Sequence, residues 1–318
     1  MIKITFSIII ATHNRPDALD QTLKHLENQE TDLGFEVILI NDGPAEAIPG
    51  LNFGQGKRAE WKFIQNPKNL GRAPSRNKGI NEARGEYILF TDDDIWTVPG
   101  FLDAHYEKQR EIGGGVVVGA VPPADEIANT PWHSYIRQRF DRIHKRLNSD
   151  SLDYGLFLTG NVSVPTKAIR NLDGFNENLK YYSFQDTELG LRLYNEGLKF
   201  AHAPKAIGYH FFEENLNKLC NKAYNTGKSS FIFVKLHPEE ASSIQFHSIE
   251  LAPWKGSNIF KNTIKILLFN NLSICLLKKI IQGFGFLNCN KVVCLLLPYL
   301  ELSYRAKGLK EIKSENRN

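Results

Sequence analysis

Short apolar runs rich in Ile and Val, at residues 6–11, 35–40, 61–64, 87–90 and 116–121, are separated by longer stretches in which apolar residues return at helical spacing. That rhythm predicts βαβ units and a mostly parallel central sheet flanked by helices, an α/β fold. Between the first two runs, Leu19, Leu23 and Leu26 lie four and three apart, as one buried helical face requires, with Pro16 in the first turn and Asn14 as the cap. Residues 74–84 predict a second helix ended by Gly85, and residues 101–112 a third ended by the glycines at 113–115. Residues 122–160 interrupt the rhythm with a turn-rich and then basic stretch, read as loops and a helix. LFLTGNVSVP predicts a strand returning to the sheet, residues 186–196 a helix with Leu189, Leu193 and Tyr194 inward, and residues 206–212 a last strand.

Beyond Trp254 the composition changes to Leu, Ile, Lys and Asn. The uncharged runs 266–277, 280–290 and 292–300 each fall short of the roughly 18–20 residues of a spanning helix, so no transmembrane helix is expected. Lys278, Lys279 and Lys291 punctuate them. Two readings fit: helices lying on an anionic membrane surface, or a helical subdomain packed on the rest of the chain. Residues 252–318 hold eleven Lys/Arg against three Glu, so a chain of net charge +4 carries +8 there and −4 elsewhere. That basic region interleaves with Leu and Ile and offers no stacking surface, which argues against nucleic acid as a partner.

At 318 residues, 42% hydrophobic and 23% charged, the chain has the arithmetic of one large or two smaller globular domains, and disorder or collagen-like repetition is excluded. The four cysteines, Cys220, Cys275, Cys289 and Cys294, form no CxxC pair and make neither a disulfide framework nor a zinc cage, which points to a reducing compartment. The opening MIKITFSIIIATHN lacks a small-residue cleavage site and does not read as a signal peptide, so a cytoplasmic location is expected.

The chemistry concentrates at predicted strand ends, where open α/β sheets bind ligands. Asp92, Asp93 and Asp94 follow the fourth apolar run, and three adjacent carboxylates repel one another unless a positive group neutralises them. Mg²⁺ or Mn²⁺ suits such oxygens and completes its shell with substrate phosphates. The competing reading is an acidic turn capping a helix near Pro99. The first strand ends in Thr12-His13-Asn14-Arg15 and the second in Asn41-Asp42-Gly43, on the same predicted rim. Asp42 can accept from a base or ribose, or simply form a turn; Arg76 can meet phosphate, or simply be solvated. No GxGxxG follows the first strand, which disfavours a dinucleotide-binding dehydrogenase.

SIIIATHNRP, VILINDGP, NLGRAPSRNKGINEARGEYILFTDDD, GNVSVP, GFNENLKYYSFQDTELGLRL and GYH, in this order, resemble a family 2 inverting glycosyltransferase of the GT-A fold over residues 4–212. The resemblance implies a nucleotide-sugar donor, commonly a UDP-sugar, held with a divalent metal. It implies that Thr12, Asn14 and Arg15 line the nucleotide pocket, Asp42 reads the base, Asn69 and Arg76 flank the nucleotide, and Asp92 and Asp94 are the DxD carboxylates. Asp94 is then the direct metal ligand and Asp93 a support of the turn. His210 is either a further ligand or a structural histidine, and His13 a wall of the pocket. Asp186 becomes the catalytic base, although Gln185 stands where the family shows Glu; Glu188 is the reserve base. Tyr181, Tyr182 and Phe184 offer a platform for a sugar ring or pack in a core.

The implied organisation is a GT-A catalytic domain over residues 1–220, with a nucleotide half to about 121 and an acceptor-side half from 122, and a helical C-terminal extension over 221–318. The acceptor would be a saccharide or lipid-linked hydroxyl of a cell-surface polysaccharide or glycolipid. Two alternatives remain: a catalytically impaired scaffold of the same fold, and a nucleotidyltransferase, which would need a glycine-rich loop that residues 7–15 lack.

Overall fold

The computed structural model describes residues 3–45, 59–127, 129–149, 151–243 and 270–316. The chain divides into two compact units: Met1–Ile127, Phe140–Glu177 and Gln185–Phe212 form the first, and Ala128–Arg139, Asn178–Phe184 and Glu213–Asn318 the second. The division is discontinuous, so that two short segments from the middle of the chain belong with the C-terminal helices.

The first unit is built on strands β1 (Ile4–Thr12), β2 (Gly34–Asn41), β3 (Ala59–Gln65), β4 (Tyr87–Thr91), β5 (Ile95–Thr97), β6 (Val116–Ala120), β7 (Asn161–Pro165) and β8 (Phe200–His210). Among the described residues they form one sheet in the order β3-β2-β1-β4-β7-β6-β8-β5. β3, β2, β1 and β4 run parallel, β7 lies antiparallel between β4 and β6, and β5 returns antiparallel to β8.

Both faces of the sheet are covered, and the two-residue period of β1 divides its side chains between them. Ile9 joins Ile38, Ile88, Phe90 and Val162 on the face under helices α2 (Arg72–Glu82), α5 (Thr166–Asn171) and α6 (Gln185–Asn195). Phe6, Ile8 and Ile10 face the opposite way, toward α1 (Pro16–Glu27) and α3 (Phe101–Ile112), where Leu19, Leu23 and Leu26 lie inward as their spacing predicts.

One buried polar network ties the sheet to α3. Asn161 Nδ2 donates to the carbonyls of Ala120 and Ala206, at the irregular step in the β6–β8 pairing. Its Oδ1 can only accept, so His105 Nε2 carries the proton that it receives, at 2.7 Å. His105 Nδ1 accepts from the Ser163 hydroxyl at 3.0 Å, and Gln109 donates to that same hydroxyl.

Several local expectations are corrected. Asn14 does not cap α1: Arg15 holds the cap position without a side-chain cap bond, and Asn14 takes a positive φ of 56°. The aspartates cap no helix, because β5 follows them and Gly100 precedes α3. Tyr194 is 49% exposed rather than inward, whereas Leu189 and Leu193 are fully buried. The last strand begins at Phe200, earlier than the apolar run indicated.

The second unit packs α7 (Leu216–Leu236), α8 (Asn271–Phe286), α9 (Asn290–Glu315) and the first turns of α4 (Pro131–Leu147) around Tyr135, Leu219, Ile274, Ile281, Val293 and Leu297. The apolar run expected from residue 266 begins outside the described residues; from 271 it continues through Lys278 and Lys279 as α8. α7 and α9 approach backbone to backbone: a Cβ on Gly227 would lie 2.0 Å from the Arg305 carbonyl oxygen, and one on Gly308 2.0 Å from that of Tyr224. No described helix is long and apolar enough to cross a membrane.

Candidate functional site

Four parallel strands open their carboxyl ends on one edge of the sheet. β7, running the other way, brings the preceding Thr159 and Gly160 to that edge, with Asn161 opposite Thr91. β5 folds back from the aspartates so that Ile95 pairs with His210, and Phe211 N donates to the Asp94 carbonyl at 2.9 Å. Residues far apart in sequence thereby meet at one rim.

The first cluster joins Thr12, Arg15, Asp93, Asp94 and His210. Arg15 Nη1 donates to Asp93 Oδ1 and Nη2 to Asp94 Oδ2, each at 2.7 Å, and the Thr12 hydroxyl donates to Asp93 Oδ2 at 2.6 Å. Both aspartates are buried. Burial pushes the Asp93 carboxyl up to about 6 against the pull of Arg15. For Asp94 burial acts in the same direction, but His210 and Arg15 together outweigh it and hold the carboxyl below its usual range. The two neighbours are thus driven apart, with Asp94 the readier anion.

The second cluster joins Arg76, Asp92 and Asp186. Only 5% of the Arg76 side chain is exposed; its Nη2 lies 3.0 Å from Asp92 Oδ1 and its Nη1 3.4 Å from Asp186 Oδ1. Thr159 grips the other oxygen of Asp186, through its hydroxyl at 2.8 Å and its backbone N–H at 3.3 Å. Glu188 is engaged elsewhere: it is buried, and Arg192 donates to both of its oxygens.

Asp42 organises the loop beside the rim. Its Oδ1 accepts from Asn66 Nδ2 and Leu70 N, and its Oδ2 from Gly71 N, at 2.7–2.9 Å. About four acceptor positions exist on a carboxylate, so three of them serve the chain itself. Asn14 and Asn69 are exposed, and His13 Nδ1 lies 2.9 Å from the Asp42 carbonyl. Tyr181, Tyr182 and Phe184 belong to the second unit, where the two tyrosine rings lie over Lys228 and Lys222 and Phe184 packs against Phe233.

Mutual repulsion among the aspartates is relieved within the chain by two arginines, so it does not by itself demand a metal. The fit for one rests on Asp94 and His210. Asp94 Oδ2 and His210 Nε2 lie 3.2 Å apart, and His210 Nδ1 is buried without a hydrogen-bond partner among the described residues. One or two protein donors at a phosphate site suit Mg²⁺ or Mn²⁺. Among the described residues no group of three or more His, Cys, Asp or Glu is arranged to hold a metal, so a closed protein cage is not formed there.

Sequence reasoning missed Thr159 and Asn66. Asn66 directly follows β3, and extending the strand-end argument to the third strand would have found it; Thr159 carries no signal before the antiparallel course of β7 is known.

Residues 7–170 match the family described as glycosyl transferase family 2. The uncharacterized glycosyltransferase YfnE of Bacillus subtilis is 25% identical over 257 residues, covering 64% of this chain and 64% of that protein. The hyaluronan synthase of Pasteurella multocida is 24% identical over 238 residues, covering 65% of this chain and 24% of the synthase. The chain therefore spans less than two thirds of the length of these relatives. Among solved structures, the mannosyltransferase PcManGT from Pyrobaculum calidifontis, in complex with GDP-Man and Mn²⁺, aligns with a TM-score of 0.64 at 14% identity over 97% of this chain and 88% of that one. S. aureus TarS 1-349 in complex with UDP-GlcNAc aligns with a TM-score of 0.54 at 15% identity over 99% and 92%. These likenesses establish the fold, a GT-A type α/β core with C-terminal helices. Since the family match covers more than half of the sequence and begins within β1, the chain belongs to glycosyl transferase family 2.

Proposed function

We propose that the chain is a metal-dependent inverting glycosyltransferase that moves a sugar from a nucleotide sugar, with UDP as the nucleotide, to a hydroxyl of a saccharide or lipid-linked acceptor. The observation that carries this reading is Arg76, buried between two carboxylates 16 and 110 residues away in sequence, Asp92 and Asp186. It links a strand-end acidic turn to a single carboxylate held by Thr159, the separation of roles that a single displacement needs.

Asp186 is the base. Its carboxylate takes the proton of the acceptor hydroxyl while the new C1–O bond forms and the bond from C1 to the diphosphate oxygen breaks on the opposite face. Thr159 and Arg76 fix the carboxylate by its two oxygens, so the group meets the acceptor in one orientation. Arg15, held by Asp93 and Asp94 yet 40% exposed at its side chain, is the cation that meets a donor phosphate. A divalent ion on Asp94 and His210 would, when bound, stabilise the charge growing on the leaving diphosphate. The metal and donor assignments draw on PcManGT, whose complex holds GDP-Man and Mn²⁺, and on TarS, which was solved with UDP-GlcNAc. Asp42 retains acceptor capacity for a base N–H beside its three internal bonds. Four free cysteines suit a cytoplasmic setting.

Calorimetric titration with UDP, GDP, dTDP and CDP, each with Mn²⁺ and with EDTA, tests the reading. Metal-dependent binding of UDP is expected. Binding of another of the four would reassign the donor, and folded protein that binds none would remove the transferase reading.

A further inference from the structure

The largest feature that the rim leaves unexplained is the outer side of the C-terminal helices. α8 is apolar on two sides. Ile274, Leu277, Ile281 and Phe284 turn inward, toward Val293 and Leu297 of α9. Leu272, Leu276 and Ile280, spaced by one helical turn, are exposed on the other side, followed by Phe286 and Leu287. Leu272 is 80% and Phe286 89% exposed. On α9, Leu295 and Tyr299 are also exposed, one turn and two turns beyond Lys291. A helix that shows water its polar side would carry charges where α8 carries leucines, and a run of exposed apolar side chains this long marks an interaction surface.

Charge selects the occupant. From residue 251 to residue 300 the sequence contains no Asp or Glu, while Lys278, Lys279 and Lys291 accompany the exposed row. A second copy seated there would set lysines against lysines. α8, at about 24 Å, is too short to span a bilayer. In-plane seating sends the leucines into the acyl boundary; Lys279, which lies within the exposed row one turn after Leu276, reaches the head groups by extending its flexible stem past them, and Lys291 flanks the row. We propose that α8 and the first turns of α9 form a docking surface for an anionic lipid bilayer. This inference does not rest on the transferase reading.

The test is sedimentation of the full chain with vesicles of phosphatidylcholine alone and of equal parts phosphatidylglycerol and phosphatidylcholine. The chain is expected to pellet with the anionic vesicles and to remain in solution with the neutral ones. Leu272→Glu with Phe286→Glu should lower the partition coefficient at least about tenfold, since both side chains face water and the bound area shrinks. Lys279→Glu with Lys291→Glu, which alters no packed group, should lower it by more than about tenfold as well. Far-UV circular dichroism and a cooperative urea unfolding transition at the parent's midpoint establish that each variant is folded. Failure to bind either vesicle would overturn the proposal. So would unchanged partition of the lysine variant, or a dimer in velocity sedimentation that the Leu272/Phe286 variant dissolves.

Discussion

Both units bury charged side chains, and both pair them. In the first, Glu36 is buried under Arg84 and the Ser7 hydroxyl; in the second, Glu301 is buried with Arg139 and the Tyr135 hydroxyl. They differ in what they leave in water. The first unit exposes His13, Asn14 and Asn69 at the strand ends, and its exposed large apolar side chains, Phe63, Tyr194 and Tyr209, sit singly on separate elements. The second exposes a row of leucines on one helix. Polar groups that converge on an edge suit the small charged ligand proposed for the first unit, and an exposed aliphatic row flanked by lysines suits the bilayer surface proposed for the second. Donor chemistry and membrane affinity should therefore respond to different substitutions.

The largest separation is expected from Asp186→Asn. Removing a general base typically costs between about 100- and 10,000-fold in turnover, while nucleotide affinity should stay within about twofold because Asp186 is proposed to serve the acceptor. Steady-state turnover beside calorimetry checks both. Near-normal turnover would pass the role to another group, and Glu188, gripped by Arg192, is a poor successor.

The next effect probes the buried network of the first unit. Burial lowers the pKa of His105 from 6.5 to about 4, against the hydrogen bond with Asn161. Between these values the unfolded chain binds a proton that the folded chain does not. Stability contributed here is complete above pH 6.5, is lost as the pH falls toward 4, and changes no further below it, by about 3 kcal/mol in all. Urea midpoints from pH 7 to pH 4 for the parent and for His105→Gln measure it: the variant should be less stable at pH 7 and should lack this share of the acid loss. Identical slopes for the two would show that the histidine titrates with access to water.

How much of this was legible in the sequence follows from the physics of each feature. The parallel strands declared themselves as short aliphatic runs, because a strand buried on both faces must be apolar throughout. The strand ends carried Thr12, Arg15, Asp42 and the aspartates, so the edge could be placed before any coordinate was known. The pairing could not. Which cation meets which carboxylate depends on β5 folding back and β7 running antiparallel, and Ile95–Thr97 is too short to read as a strand. Arg15 and Arg76 were in view but their carboxylate partners were not, so the repulsion among the aspartates could not be weighed against these two cations. Asn14 misled because a good capping residue was judged by identity, whereas its backbone enters the left-handed region one residue early. In the C-terminal region, apolar runs announced helices but not their exposed side, because α8 is apolar on two sides and its few polar residues, Lys278, Lys279 and Gln282 among them, form no periodic face from which to orient it.

Gly308→Ala addresses the second unit alone. The added methyl would meet the Tyr224 carbonyl oxygen at 2.0 Å, a backbone atom with no rotamer to yield, so α7 and α9 must separate. A loss of about 1–3 kcal/mol in urea unfolding is expected, with nucleotide affinity unchanged. A parallel loss of nucleotide affinity would mean that the two units are energetically one, and the contrast drawn between them would be of surface only.

The smallest effect concerns the segment that leads into α6. Ser183 and Phe184 take positive φ values of 77° and 65° in succession, immediately before Gln185 and Asp186. Left-handed backbone costs a non-glycine residue on the order of 1 kcal/mol, and such strain persists where surrounding structure holds it. Phe184 is held by its contact with Phe233, at 5.1 Å between ring centroids, so Ser183 is the residue to relax. Ser183→Gly removes the steric cost but increases the freedom of the unfolded chain, and a net gain of up to about 1 kcal/mol is expected. Stability and turnover then separate two origins of the strain. If it merely accompanies a tight turn, the variant melts higher and turns over as before. If it aims Asp186, the same variant melts higher and turns over more slowly, with nucleotide affinity intact in both cases.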